Sequence, residues 1–288
     1  MQFILNGLIT GSAIALLALA FQMVYLPTRI FFIGLAGIYS IAPFIALSVL
    51  QSDWGWFAAL GAAVLVSVAL AVLMEWANHA PLARKNASEG AQLISSLGMY
   101  IIVVQVIAMV WGNETKTLRT GLDTVTRMGE VIITQSQWIM LGVSAALIAG
   151  FAFFLMRSDI GLRLRALADN PTQFALYGYN IDIHRLLAFA LSGCFAAAAA
   201  LLTAYDIGFD PYVGLHAIIL AVVAVIIGGR GSFAGVVLGG VLLGVLRAEV
   251  VWHLSARWQE AATFVLLALF LLLRPQGLLG NSGRIEAA

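Results

Sequence analysis

Long apolar runs dominate this chain and alternate with short polar stretches. A hydrocarbon core about 30 Å thick requires about 20 apolar residues per helical span. Unbroken runs of this length are unlike the alternating segments of a transmembrane β-barrel, so the pattern predicts an all-α, polytopic membrane protein. The candidate spans cover residues 3–26, 30–50, 57–75, 91–111, 137–156, 186–204, 213–228, 233–251 and 261–273.

The number of spans is open between eight and nine. Pro43 interrupts the run 30–50, and glycines punctuate the region 213–251, so either could be broken or re-entrant. The composition agrees with a membrane protein, because 62% of the residues are hydrophobic and only 10% are charged. We find no linker and no soluble domain, which predicts a single transmembrane domain over residues 1–288 in contact with lipid.

The positions of the basic residues predict the orientation of the spans. Cytoplasmic loops of membrane proteins carry an excess of Lys and Arg. With nine spans, every basic cluster falls on the same side, which places the N-terminus outside and the C-terminus in the cytoplasm. The clusters are Arg84 and Lys85, the segment 157–185, Arg230, and Arg274 with Arg284.

The outer stretch 112–136 has balanced charges and is either a solvated connector or a surface for an external partner. Its charged residues are Lys116, Arg119, Arg127, Glu114, Asp123 and Glu130. The net charge of the whole chain is +1, which gives no reason to expect nucleic acid as a partner.

Catalytic and energy-coupling motifs are missing from the sequence. Neither of the two lysines, Lys85 and Lys116, follows a glycine, which excludes a Walker A phosphate loop. The four histidines lack the spacing of metal ligands. Arg247 and Glu249 lie near the outer end of a span, and we interpret them as interfacial. We therefore expect no enzyme, no metal site and no cofactor bound by this chain.

The cytoplasmic segment 157–185 is amphipathic and predicts two short helices. Asp169 or Asn170 suits the N-cap of the second helix, Pro171 its first position, and Gly178 its left-handed stop. Such a pair could insert into a groove on a soluble motor protein, or it could rest on lipid headgroups. The residues expected in the docking groove are Leu164, Leu167, Ala168, Asp169, Pro171, Phe174, Leu176 and Gly178.

Four segments, in order, resemble the permease family of branched-chain amino acid ABC transporters. GLRLRALADNPTQFALYGYNI (161–181) resembles the coupling loop by which such permeases contact their ATPases. GSAIALLALAFQMVY (11–25) is similar to the family's first helix, IIGGRGSFAGVVLGGVLLG (226–244) to its Gly-rich hairpin, and RPQGLLG (274–280) to its C-terminal signature. The chain therefore resembles the H-type permease subunit of this family.

This resemblance implies an import system in the inner (plasma) membrane of a prokaryote. The expected partners are a second permease subunit, two cytoplasmic ATPase subunits that bind the ATP, and an extracytoplasmic solute-binding protein. Branched-chain or related amino acids are the expected solutes, with urea or short amides as the alternative. A stand-alone carrier or channel for a small neutral solute is the alternative from another class.

One segment departs from the family pattern and leaves the solute open. The family typically carries Asn-Phe-Ala-His-Gly after its first helix, whereas this chain has Phe32-Ile33-Gly34-Leu35-Ala36. Polar residues within the spans, Asn6 among them, are candidates for the solute pathway. The amides are preferred, because an amide is not easily satisfied by its own helix. The pathway residues predicted in this way are Gln22, Tyr25, Gln92, Ser96 and Gln105.

Glycines are concentrated in the Gly-rich hairpin and predict close helix packing. Small residues let helix backbones approach one another in lipid. We expect packing rather than ligand contact at Gly228, Gly229, Gly231, Gly235, Gly239, Gly240 and Gly244.

Overall fold

The computed structural model describes residues 2–119, 124–128 and 131–280. Asp123, Glu130 and Arg284 lie outside the described residues, as does the side chain of Arg127. The helices are α1 (Gln2–Thr28), α2 (Gly34–Gln51), α3 (Trp56–Met74), a π-helical turn (Glu75–His79), α4 (Ala80–Arg84), α5 (Glu89–Trp111), α6 (Gln135–Arg157), α7 (Asp159–Asp169), α8 (Pro171–Leu176), α9 (Ile181–Asp206), α10 (Val213–Gly228), α11 (Phe233–His253) and α12 (Gln259–Leu273).

The helices confirm the prediction of an all-α polytopic membrane protein. Each predicted apolar run contains a helix, and in the described part of the chain eight helices are long and apolar enough to span a membrane. One of them comprises α3, the π-helical turn and α4. Another comprises α12 with the preceding 3₁₀ turn, Ala256–Trp258, and has 18 residues in all. The remaining run, α10, has 16 residues. At 1.5 Å per residue it reaches about 24 Å, which is short of a full hydrocarbon core. Helix α10 lies in the Gly-punctuated region 213–251, one of the two places where the sequence leaves the span count open.

Helix α1 lies at the centre of the bundle and packs against α6, α9, α10 and α11. Its contact with α11 depends on glycines. A Cβ atom at Gly11 would lie 2.9 Å from the Cα of Val241, and one at Gly240 would lie 2.7 Å from the Cα of Ala15. Since such distances exclude a side chain, the two backbones touch, as the small-residue pattern predicts.

Contacts between the loops sort them into two ends of the bundle. At one end, Gln2 hydrogen-bonds to the backbone of Ile132, and Lys116 forms a backbone bridge with Phe209. At the opposite end, the basic loops meet, and Arg84 forms an ion pair with Asp182. Successive loops therefore lie at alternate ends of the bundle, as expected when each span crosses the membrane once. The first end also carries a short antiparallel hairpin, β1 (Val125–Met128) and β2 (Val131–Thr134), which we did not predict.

The C-terminal signature RPQGLLG closes the C-terminal end of α10. The N–H of Leu278 donates to the carbonyl of Ile227 at 2.8 Å, and that of Leu279 donates to Gly228 at 3.1 Å. These bonds satisfy helix-terminal carbonyls that would otherwise lack partners. Gly229 and Gly277 have positive φ angles of 100° and 79° and lie in backbone contact. Both positions therefore favour glycine, because other residues rarely adopt positive φ angles.

Candidate functional site

The segment between α6 and α9 forms the two predicted short helices. Ser158 caps α7, and the side chain of Asn170 caps α8 by accepting a hydrogen bond from the N–H of Gln173 at 3.0 Å. Pro171 occupies the first position of α8, and Gly178 has a φ angle of 83° after its end. Of the two candidate N-caps, Asn170 fills the role, while Asp169 is the last residue of α7.

Three of the predicted docking residues are buried within this chain. Leu164, Leu167 and Phe174 are 4%, 0% and 3% exposed. Helix α7 packs against α1, α6 and α9, and the ring of Phe174 contacts Tyr179 and His184. This corrects the expectation that these side chains occupy a groove on a partner. They anchor the helix pair to the membrane bundle instead.

Other apolar side chains of the same segment face outward. Leu162 is 59% exposed, and Leu176 and Tyr177 are each 82% exposed. We call these three residues the docking face. A helix pair with a buried anchoring side and an exposed apolar side is a rigid surface that a second protein can cover.

A small cavity of about 90 Å³ lies between the bundle and the pair α7 and α8, which we call the coupling helices. Gln22, one of the predicted pathway residues, lies in its wall. Its wall includes Leu164 and Ala168 from α7 and Phe233 from α11. The side-chain amide oxygen of Gln22, Oε1, has no hydrogen-bond partner among the described residues. Gln22 and Ala168 therefore belong to the contact between α1 and the coupling helices.

The remaining predicted pathway residues lie apart from one another. The Tyr25 hydroxyl accepts a hydrogen bond from Arg230 at 3.3 Å, and Gln92 donates to the carbonyl of Ala87 at the start of α5. Ser96 accepts from the N–H of Gly34 at 2.8 Å, which fixes the start of α2. Gln105 is exposed on the outer surface of α5. The structure does not gather these side chains into one site.

A cavity of about 600 Å³ opens near the other end of the bundle, between α1, α2, α6 and α9 to α12. Most of its wall is apolar, and several polar side chains are also part of the wall. Among the predicted candidates, Asn6 lies in this wall. The polar and charged lining residues are Asn6, Thr10, Tyr39, Thr203, His216, Arg247 and Gln259.

Arg247, which we interpret as interfacial, lies near the C-terminal end of α11 and lines this cavity. It donates to Glu260 at 3.0 Å and to Thr263 at 3.1 Å, and its side chain is only 12% exposed. His216 lies 3.6 Å from the same carboxylate. The partners come from α12, so only the tertiary packing of α11 on α12 reveals the cluster. Glu249 pairs with His253 at 3.4 Å.

The segment that departs from the family pattern is part of the core. Phe32 is fully buried, and its ring packs edge-on against Phe189 at 4.8 Å and His79 at 5.4 Å. This packing accounts for an apolar ring at position 32. Among the residues that the structure describes, no group of His, Cys, Asp or Glu could hold a metal ion.

Comparison with known proteins agrees with the sequence motifs. The family described as branched-chain amino acid transport system, permease component, matches residues 3–273. The permease protein BraD of a high-affinity branched-chain amino acid transport system in Pseudomonas aeruginosa is 30% identical, over 98% of this chain and 96% of its own length. The corresponding protein LivH of Escherichia coli is 28% identical over the same shares.

A solved structure shares the fold. PsaBC from Streptococcus pneumoniae, in complex with a Fab, superposes with a TM-score of 0.54 over 96% of this chain and 93% of the matched chain, at 14% sequence identity. At that identity the similarity concerns the arrangement of helices alone. The helix arrangement of this chain is therefore shared with a solved structure.

Proposed function

The chain belongs to the family of permease components of branched-chain amino acid transport systems, and we propose that it imports branched-chain or related amino acids as part of an ATP-driven transporter. In this proposal a second permease subunit completes the pathway. Two cytoplasmic ATPase subunits bind and hydrolyse ATP, and an extracytoplasmic protein delivers the solute. This chain binds no cofactor and performs the translocation.

The observation that carries the proposal is the anchored helix pair α7–α8. If transport is driven by ATP, a chain without a Walker A loop needs an external motor. The capped helices, held by Leu164, Leu167 and Phe174, present Leu162, Leu176 and Tyr177 at the end of the bundle where the basic loops meet. A rigid projection of this kind can transmit nucleotide-driven movement to the membrane helices.

In the proposed orientation, this end faces the cytoplasm of a prokaryote and the N-terminus faces outward across the inner (plasma) membrane. The excess of basic residues around the coupling helices supports it. The outer cavity then opens toward the side from which the solute is delivered. Its mainly apolar wall suits an aliphatic side chain, and Arg247 in that wall offers a positive charge to the carboxylate of an amino acid.

Co-purification with the ATPase subunits tests the proposal. The variants Leu162→Asp, Leu176→Asp and Tyr177→Asp place a charge on the docking face. Trp54→Asp is the matched control, because Trp54 is 76% exposed in a loop at the opposite end of the bundle. A few residues near the centre of an interface cost about 2 kcal/mol or more when they are replaced, so we expect about a thirtyfold loss of affinity for the strongest of the three variants.

The control should retain the ATPase at the wild-type level. Loss of the ATPase from all four variants would indicate damaged protein. Full retention by the three docking-face variants would contradict the proposal and favour a stand-alone carrier or channel.

A further inference from the structure

The inner end of α3 carries a π-helical turn, Glu75–His79, which meets the first turns of α9. Single π-helical turns are rare within α-helices and frequently mark functional positions. This turn brings three polar side chains, Glu75, Asn78 and His79, toward the interior of the protein. None of them belongs to the coupling helices or to the outer cavity.

Glu75 and Arg185 form a buried ion pair at this place. The Arg185 Nε lies 2.7 Å from the Glu75 Oε1, and the two side chains are 13% and 1% exposed. The second carboxylate oxygen of Glu75 and the Nη2 of Arg185 have no hydrogen-bond partner among the described residues. Buried ion pairs add little stability over apolar residues of the same size, and their best-attested role is to fix register or serve a switch.

The ion pair is connected directly to the coupling helices. Arg185 follows His184, whose ring packs edge-on against Phe174 of α8 with centroids 4.9 Å apart. Phe174 also stacks on Tyr179 at 5.0 Å. A displacement of α8 must therefore move the start of α9, and Arg185 with it.

On its other side, the π-helical turn is connected to α5 and α2. The Ser95 hydroxyl donates to the side-chain oxygen of Asn78 at 2.5 Å. The next residue, Ser96, accepts from the N–H of Gly34 at the first residue of α2. Three separate polar contacts thus join α9 to the π-helical turn, the turn to α5, and α5 to α2.

We propose that Glu75 and Arg185 are positioning residues for transport, and that their ion pair transmits movement of the coupling helices to α3, α5 and α2. This inference rests on the proposed ATP-driven import. The charge pair suits the task because it holds α9 at one register of α3 through a single directional contact. Its unpaired oxygen and nitrogen can form alternative contacts when the helices shift.

The test measures ATP hydrolysed per leucine imported by the complete transporter in proteoliposomes. The informative variant is Glu75→Leu/Arg185→Met, because replacing both charges by apolar residues of similar volume leaves a buried site folded. We expect it to insert, assemble and hydrolyse ATP, while the ATP consumed per leucine rises about tenfold, a typical size for coupling between sites.

Charge reversal provides a second, independent variant set. Glu75→Arg and Arg185→Glu should each raise the ratio, and Glu75→Arg/Arg185→Glu should bring it back to within about threefold of wild type, since the pair is restored with its charges exchanged. The matched control is the Arg84–Asp182 pair, which joins α4 to α9 but whose side chains are 70% and 56% exposed. Its reversal variants should leave the ratio unchanged.

An unchanged ratio in the folded Glu75→Leu/Arg185→Met protein would overturn the inference and leave the pair a purely structural one. The same holds if the Arg84–Asp182 variants raise the ratio equally. A wild-type transporter that hydrolyses ATP without importing any solute would instead contradict the proposed function. The two failures are therefore distinguishable.

Discussion

Truncation of Leu167 should detach the coupling helices from the bundle, whereas truncation of Leu176 should not. Leu167 is fully buried beneath α7, and Leu176 is 82% exposed on α8. Leu→Ala at a buried site typically costs 2–5 kcal/mol, because the transfer energy of the lost methyl groups adds to that of the cavity left behind. Exposed substitutions away from special features usually stay within about 0.5 kcal/mol.

In Leu167→Ala, this free-energy cost shifts the equilibrium between the packed and the open state of α7 and α8. Helices α7 and α8 lie at the end of the bundle and pack against a few neighbours, so they can open without unfolding the spans. A loss of 2 kcal/mol increases the open fraction roughly thirtyfold. Cleavage by trypsin after Arg163 or Arg165, in detergent at a low protease concentration, should accelerate by that factor in Leu167→Ala.

Leu176→Ala is the matched control, with the same chemistry 9 positions away on the neighbouring helix. Its cleavage rate should equal that of the wild type, while its affinity for the ATPase subunits falls. Equal cleavage rates for both variants would refute the division into anchoring and docking residues. A faster rate for Leu176→Ala than for Leu167→Ala would refute it as well.

Further predictions concern the glycines and the outer cavity. Gly240→Ala should destabilise the protein by about 1–3 kcal/mol, measured as a lower melting temperature in detergent, because its Cβ would press on Ala15. Gly277→Ala should cost about 1–2 kcal/mol, since its φ angle is 79°, with Leu279→Ala as a milder control. Arg247→Met should weaken leucine uptake without changing ATPase association, and it should cost at most about 1 kcal/mol of stability, because Glu260 is 47% exposed and remains solvated.

Local features of the fold could be predicted from the sequence because their causes are local. The spans follow from the length of apolar runs, and the coupling helices follow from a capping Asn170, Pro171 at the first position and a glycine at the end. The glycines of the hairpin predict close helix packing, and the structure shows that the helix packed against them is α1.

The remainder depends on contacts between distant residues. Amphipathic spacing shows that Leu164, Leu167 and Phe174 need burial, yet it does not show whether this chain or a partner provides it. Glu75 and Arg185 lie 110 positions apart, and no pattern near either one indicates the other. For the same reason, five polar residues that fit a pathway by composition are found at separate places in the fold.

Uptake of radiolabelled leucine by the complete transporter in proteoliposomes tests the central claim most directly. The account predicts that uptake requires this chain, its partner permease, the ATPase subunits, ATP and the solute-binding protein, and that urea does not compete. Competition by urea at equal concentration would indicate that urea or a short amide is the transported solute. Uptake that proceeds without ATP or the ATPase subunits would contradict the account of this chain as a motor-driven permease.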